Sequence, residues 1–483
     1  MNYILKNSRV YSVDTGEFSD RDLYITDGRI SDRAGPESLT MDLSGKFIYP
    51  GFVDSHSHLI GTGLEKMAVD LRNCRSMEDL RSRLQIESHL VRARGWDQET
   101  LGFLPERRIL DRITSQPAVL VRRCGHVATV NSAVIDRFSL EALDGLDETD
   151  IETGVIKERA LERLNSIVKL APEEVEEAIR RGSVEFLKYG VTCVHSDDLH
   201  GMELETLVES LKRIDNIRVF EKIAVERPDQ LSMVSMARNG ETRFFKVIAA
   251  KIYLDGSLGA RTAAMKEPYS DSPRETGILY MDCETLKSIV ERADREGIQL
   301  CIHVIGDRSL EEALKAFHGS RALELKHRLI HVQIASPEEI HRIADLGLTA
   351  SIQPVFFDSD AHIAPGRFGE ARIKNAYPFR RMRDAGIRMA LSTDSPVESP
   401  SVLPNLVSAD RFFQRRDSLE MYTKAGYCLA NREERGSLLP GDEADFFVSS
   451  VNLLDGMGEA ESEITFVDGK IVYHTANRQL YTK

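Results

Sequence analysis

"VEFLKYGVTCVHSDD", residues 184–198, changes character at its centre. Charged and apolar residues first mix as on a helix, Gly190 interrupts them, and an apolar run closes on His195. A glycine just past a helix adopts the left-handed conformation that stops it. A short run rich in β-branched residues directly after that stop reads as a buried strand. The same order recurs in "ADREGIQLCIHVIGD" (293–307), "IADLGLTASIQP" (343–354) and "MRDAGIRMALSTDSP" (382–396). Each strand ends on a polar side chain: His195, His303, Gln353 and Asp394.

Four more apolar runs extend the series: "GFVDSHSH" (51–58), "IRVFEKI" (217–223), "KVIAAKIYLDG" (246–256) and "HRLIHVQ" (327–333). Helix–strand alternation with eight strands, and polar groups gathered at their C-terminal ends, predicts an α/β fold. Its expected form is a TIM-like (β/α)8 barrel. A doubly wound sheet also alternates, but does not require polar residues at so many strand ends.

The two ends of the chain read differently. "NYILKNSRVYSVDTGEFSDRDLYITDGRISD" (2–32) and "EITFVDGKIVYH" (463–474) are short strand-like runs broken by Thr-Gly or Asp-Gly. Neither end is long enough for its own core. We expect one small β-sandwich domain from residues 1–49 and 436–483. The larger barrel domain is assigned to 50–74 and 186–435. Residues 75–185, charged and mostly helical in pattern, are expected to be an insertion after the first barrel strand that covers the barrel mouth.

Bulk properties narrow the function. The 483-residue chain is 42% hydrophobic and 29% charged, with a formal charge of −14. An acidic balance disfavours nucleic acid and anionic membranes as partners. The expected partner is a small-molecule substrate, with a homo-oligomer left open. Six scattered cysteines without a C-x-x-C pair fit reduced thiols in a cytoplasm. The N-terminal stretch "MNYILKNSRVYSVDTG" has no long apolar run with a cleavage site.

His56 and His58 alternate in a strand, so both can face one ion. A lone H-x-H is weak evidence. His303 and His331, each closing an apolar run, bring the imidazoles at the predicted mouth to four, a costly cluster without a metal. Imidazole is a common ligand of zinc and similar ions. Asp394 reads either as a helix N-cap or as both ligand and base. Lys251 is paired with an acid such as Asp255, or is carbamylated and bridges two cations; Lys246 is a second candidate.

"GFVDSHSHL", "KIYLDGSLGARTA", "LCIHVIGD", "RLIHVQ" and "LSTDSPVESP" together resemble the amidohydrolase superfamily. They look most like its YtcJ-like branch, which includes N-substituted formamide deformylases. "RGWD", "RRCGHVATVNS", "SIQP" and "GSLLPGDEADFFV" extend the match over nearly the whole chain in order. One departure is "STDSP", where the family usually has Gly-Ser-Asp-Ala-Pro; the aspartate is kept.

The resemblance implies two divalent ions, zinc foremost, held by His56, His58, carbamylated Lys251, His303, His331 and Asp394. His56 and His58 would hold the more buried ion, and His303 and His331 the more exposed one. It also implies hydrolysis of a non-peptide C–N bond in an amide, N-formyl or cyclic amide substrate by a metal-activated hydroxide. Asp394 would be general base and then acid. His126 is expected to contact substrate, with Asp255, Arg261 and Gln353 as weaker candidates. His195 is expected to be structural, and Trp96 to pack the insertion. Three rivals stay open: a metal-free lyase forming a Schiff base on Lys251, a non-catalytic metal-binding regulatory protein, and, last, a glycosidase.

Overall fold

The computed structural model describes residues 1–122, 127–140, 149–157, 160, 161, 164, 167–199, 202–432, 435–455 and 461–477. The chain divides into two compact units. One holds residues 1–61, 182–199 and 207–483; the other holds 62–181 and 200–206.

The first unit contains the expected parallel strands, eight in sequential order. They are β1 (Phe52–Ser57), β2 (Val191–Ser196), β3 (Arg218–Ala224) and β4 (Phe245–Tyr253). β5 (Gln299–Val304), β6 (Arg328–His331), β7 (Thr349–Ile352) and β8 (Met389–Leu391) complete the set. The seam between β1 and β8 is bridged just beyond the last strand residues. Asp394 N donates to His56 O at 3.0 Å and His58 N donates to Ser395 O at 2.8 Å. The result is a nearly closed barrel.

Gly190, Gly297, Gly347 and Gly386, the four predicted stops, all have positive φ. At Gly190 a second constraint acts: a Cβ there would lie 2.5 Å from the Phe447 ring. The helix Pro337–Asp345 starts with a capping box, Ser336 and Glu339 bonding reciprocally, and Pro337 in its first turn. These local signals set where each strand begins, and so which residue ends it.

Both chain ends enter one eight-stranded sheet. Tyr3–Ser12 runs parallel to Phe47–Pro50, which pairs antiparallel with Phe446–Ser449 in the register Ile48↔Val448. Leu5, Val10, Leu23, Ile25, Ile48, Phe446, Val448 and Phe466 fill its core, with Phe446 stacked on Phe466 at 4.4 Å.

The second unit departs from the mostly helical expectation. It carries a six-stranded sheet that includes Val91–Trp96, Ala118–Arg122 and Val127–Val130. In "VRARGW" the inward Val91 and Ala93 alternate with Arg92 and Arg94, so a strand was masked by its charged face. Trp96 is fully buried there, its indole donating to Leu120 O at 2.9 Å. Among the described residues no helix is long and apolar enough to cross a membrane.

Candidate metal centre

The C-terminal ends of the barrel strands bring the predicted imidazoles together. Ring centroids lie 5.4 Å apart for His56–His58, 5.3 Å for His56–His331 and 4.5 Å for His303–His331. Asp394, delivered by the seam bonds, places Oδ1 3.2 Å from His56 Nε2 and 3.3 Å from His58 Nε2. Asp394 and His331 have φ of 58° and 76°, uncommon for residues with a Cβ. Such strain is held where the surrounding structure over-determines it, often at functional sites.

Each imidazole is oriented from outside. His58 Nδ1 hydrogen-bonds the Asp197 main-chain oxygen at 3.2 Å and lies 2.8 Å from Asp197 Oδ1; both oxygens only accept, so Nδ1 carries the proton and Nε2 turns to the centre. His331 Nδ1 meets Gln353 Oε1 at 2.8 Å, and Gln353 Nε2 donates to Ser392 Oγ at 2.7 Å. His303 Nε2 meets the Gly256 carbonyl at 3.1 Å. Carboxylate and carbonyl partners of this kind orient metal-binding histidines and raise their basicity. His56 differs, because its Nδ1 lies 3.3 Å from Lys222 Nζ, which also donates to His195 O at 2.5 Å.

Lys251 is fully buried and pairs with Asp197 Oδ2, which also accepts from Tyr253 Oη at 3.2 Å. Its partner is therefore Asp197 and not Asp255. Lys246 lies elsewhere, 3.2 Å from Glu241.

Electrostatics leave most of these rings ready to bind a cation. Burial, with Lys251 adding to it, pushes His303 down to about 3. His56 and His331 fall well below the ordinary value, burial being the main cause. Burial also disfavours the His58 cation, but Asp197 and Asp394 outweigh it and hold that ring well above the ordinary value. Asp197 is opposed by burial too, yet His58 and Lys251 keep it well below the usual carboxylate range.

Nitrogen and oxygen donors fit a borderline divalent ion such as zinc. Ligand atoms of His56, His331 and Asp394 lie within 4.8 Å of one another, as do those of His56, His58 and Asp197. These residues can hold a metal ion.

The weaker candidates have other partners. Asp255 accepts from Ile305 N, Gly306 N, Ser309 Oγ and Ala264 N at 2.7–3.0 Å, and is 1% exposed. It braces the loops after β4 and β5. Arg261 pairs with Asp271 at 3.1 and 3.2 Å. Gln353 is buried between His331 and Ser392. His126 lies outside the described residues. His195 is buried with Nδ1 3.0 Å from Arg328 Nη1.

Sequence reasoning missed Asp197, Lys222 and Asp54. Asp54 accepts from Thr393 Oγ1 at 2.5 Å and from Thr393 N at 3.2 Å, tying β1 to the segment that carries Asp394. Asp197 sits two residues past His195, on the same face of an extended chain, so the "SDD" ending of β2 was its signal. Replacing Asp197 by Asn is expected to weaken metal binding about 10–100-fold, as loss of an outer carboxylate partner does. Chelator competition measures this; unchanged affinity would deny Asp197 a part in the centre.

Comparison with known proteins agrees with this geometry. The amidohydrolase family model Amidohydro_3 matches residues 39–473. The chain belongs to that family. It is 28% identical to the amidohydrolase YtcJ of Bacillus subtilis, over 93% of this chain and 95% of that one. It is 23% identical to the N-substituted formamide deformylase of Arthrobacter pascens, over 97% of each chain. Among solved structures, an uncharacterized metal-dependent hydrolase from Pyrococcus furiosus superposes with a TM-score of 0.84 at 30% identity, covering 94% of this chain and 100% of that one.

Proposed function

We propose that the protein hydrolyses a non-peptide C–N bond, in an amide, N-formyl or cyclic amide substrate, at a centre of two divalent ions. Zinc is the favoured metal. The observation that carries this reading is the convergence of His56, His58, His303, His331 and Asp394 from four strand ends onto one cluster.

His56 and His58 would hold one ion, and His303 and His331 the other, with Lys251 carbamylated between them. Charge supports the last assignment. As an ammonium, Lys251 is bound to Asp197 and repels a cation. As a carbamate it adds a negative group beside Asp197, so modification and a second ion favour each other. When bound, a divalent ion brings the acidity of a coordinated water near neutrality and polarises a carbonyl.

The chain's own residues do the rest. Asp394 takes a proton on Oδ1 and returns it to the leaving nitrogen, as general base and then acid. Asp197 and Gln353 keep His58 and His331 turned inward, so no reorganisation is needed as charge develops. A cytoplasmic setting belongs to the same reading; the five described cysteines are free thiols.

The test is a panel of N-formyl amines, N-acyl amines and cyclic amides, offered to the protein as purified, after chelation, and after zinc is restored. Turnover is expected to vanish on chelation and return with the metal. Full activity in the stripped protein would refute the reading.

A further inference from the structure

The stretches "RGWD" (94–97) and "RRCGHVATVNS" (122–132) meet in the six-stranded sheet of the second unit. Pairing across that sheet sets four residues in one row. Trp96 lies opposite Arg122, the pair Val121↔Ala128 brings Val127 beside Arg122, and Val127 lies opposite Lys157. Side chains paired across strands share a face of the sheet. All four line one cavity of about 460 Å³, a volume typical of small-molecule sites. Leu104 and Val155 join Val127 in an apolar floor, and Trp96 is fully buried at one end of the row.

The polar groups around this floor differ in what they already bind. Arg122 Nε donates to Gln98 Oε1 at 2.7 Å, and its Nη2 lies 3.7 Å from Asp97 Oδ2, so its charge is balanced within the protein. Lys157 is exposed at the far end of the row and has no ion-pair partner among the described residues. Asp150 also lines the cavity, but its Oδ1 accepts from Thr153 N at 3.1 Å and no described ion pair joins it to Lys157. One cation therefore stands unbalanced beside an apolar floor. Strands lie about 4.8 Å apart, so three spacings make the row from Trp96 to Lys157 about 14 Å long.

We infer that this face of the second unit is a ligand site of its own, taking a small aromatic carboxylate. The carboxylate pairs with Lys157, and the ring lies over Val127 toward Trp96. A broad sheet face suits a flat body better than a branched one. An ion pair at an exposed lysine contributes little alone, so burial of the ring on Val127, Val155 and Leu104 supplies the larger share of affinity. An uncharged analogue keeps the floor and loses the pair. Inorganic phosphate keeps the pair and loses the floor. Both should bind more weakly than the carboxylate.

Trp96 is the chain's only tryptophan, so its emission reports on this cavity. The full-length, metal-loaded protein is titrated with 4-iodobenzoate and with 4-iodobenzyl alcohol, whose iodine quenches an indole at close range. The benzoate is expected to quench saturably and the alcohol to bind about fivefold more weakly, the upper range for an exposed ion pair. In Lys157→Gln the benzoate should fall to the level of the alcohol, while the alcohol is unchanged; Lys157→Glu should weaken the benzoate further. Inorganic phosphate at equal concentration should not displace it. Absence of saturable quenching, or one affinity for the benzoate in wild type and both variants, would overturn the site. Displacement by phosphate would do the same, because that anion has no body to lie on the floor. Quenching that disappears when the metal is removed, yet survives Lys157→Glu, would place the carboxylate at the metal centre and also overturn it.

Discussion

Asp394→Asn is expected to lower kcat by about 10²–10⁴-fold, the usual worth of a positioned general acid–base group, while metal content stays near that of the wild type. The carboxylate lies 3.2 Å from His56 Nε2 and 3.3 Å from His58 Nε2, so it is within reach of any group those rings hold. Asparagine keeps the shape and an oxygen donor but cannot carry a proton away. The backbone should tolerate it, because Asn adopts positive φ readily and Asp394 has φ 58°. Kinetics and metal analysis on one preparation separate the outcomes. An active variant would remove Asp394 from proton transfer. A variant that loses metal and activity together would make it chiefly a ligand.

Arg218→Met is expected to destabilise the first unit by about 3–5 kcal/mol, the range for removing one partner of a buried ion pair. Arg218 opens β3 and is fully buried. Its Nε and Nη2 meet both oxygens of Asp445, the latter at 3.0 Å, and Nη2 lies 2.6 Å from Glu443 Oε2. Asp445 precedes Phe446–Ser449 of the sheet built from both chain ends, so one guanidinium couples that sheet to the barrel. Burial disfavours the Arg218 cation, yet Asp445 outweighs it and raises the group above its ordinary value. Removing it leaves the buried Asp445 carboxylate without its cation, with only Asp468 N still donating to it at 2.7 Å. Urea denaturation measures the loss, and the double variant Arg218→Met/Asp445→Leu should recover part of it. A single variant as stable as the wild type would show that the pair is not a coupling element.

The barrel was legible because its punctuation is local. Glycine stops at 190, 297, 347 and 386 and apolar runs closing on polar residues mark strands without tertiary information. Four histidines were legible for the same reason, since an imidazole at the end of a hydrophobic strand has few cheap alternatives. Direction was not legible. Asp255 and Gln353 follow their strands within two residues and Arg261 lies further out in the loop after β4, but which neighbour a side chain turns to depends on loops from other strands. Asp197 was hidden by its neighbour Asp198, and only the barrel register decides which acid meets Lys251. Lys222 and its neighbour Glu221, charged residues inside an apolar run, are both fully buried. The sheet of the second unit was hidden by arginines on the outer face of its strands.

The central claim is that distant histidines and Asp394 cage divalent metal. Anomalous diffraction at the zinc edge, from crystals of protein purified without chelator, tests it directly. The account predicts two peaks, one about 2.0–2.2 Å from ring nitrogens of His56 and His58 and the other at that distance from His303 and His331. No peak within reach of these rings in protein shown to contain stoichiometric metal would contradict it.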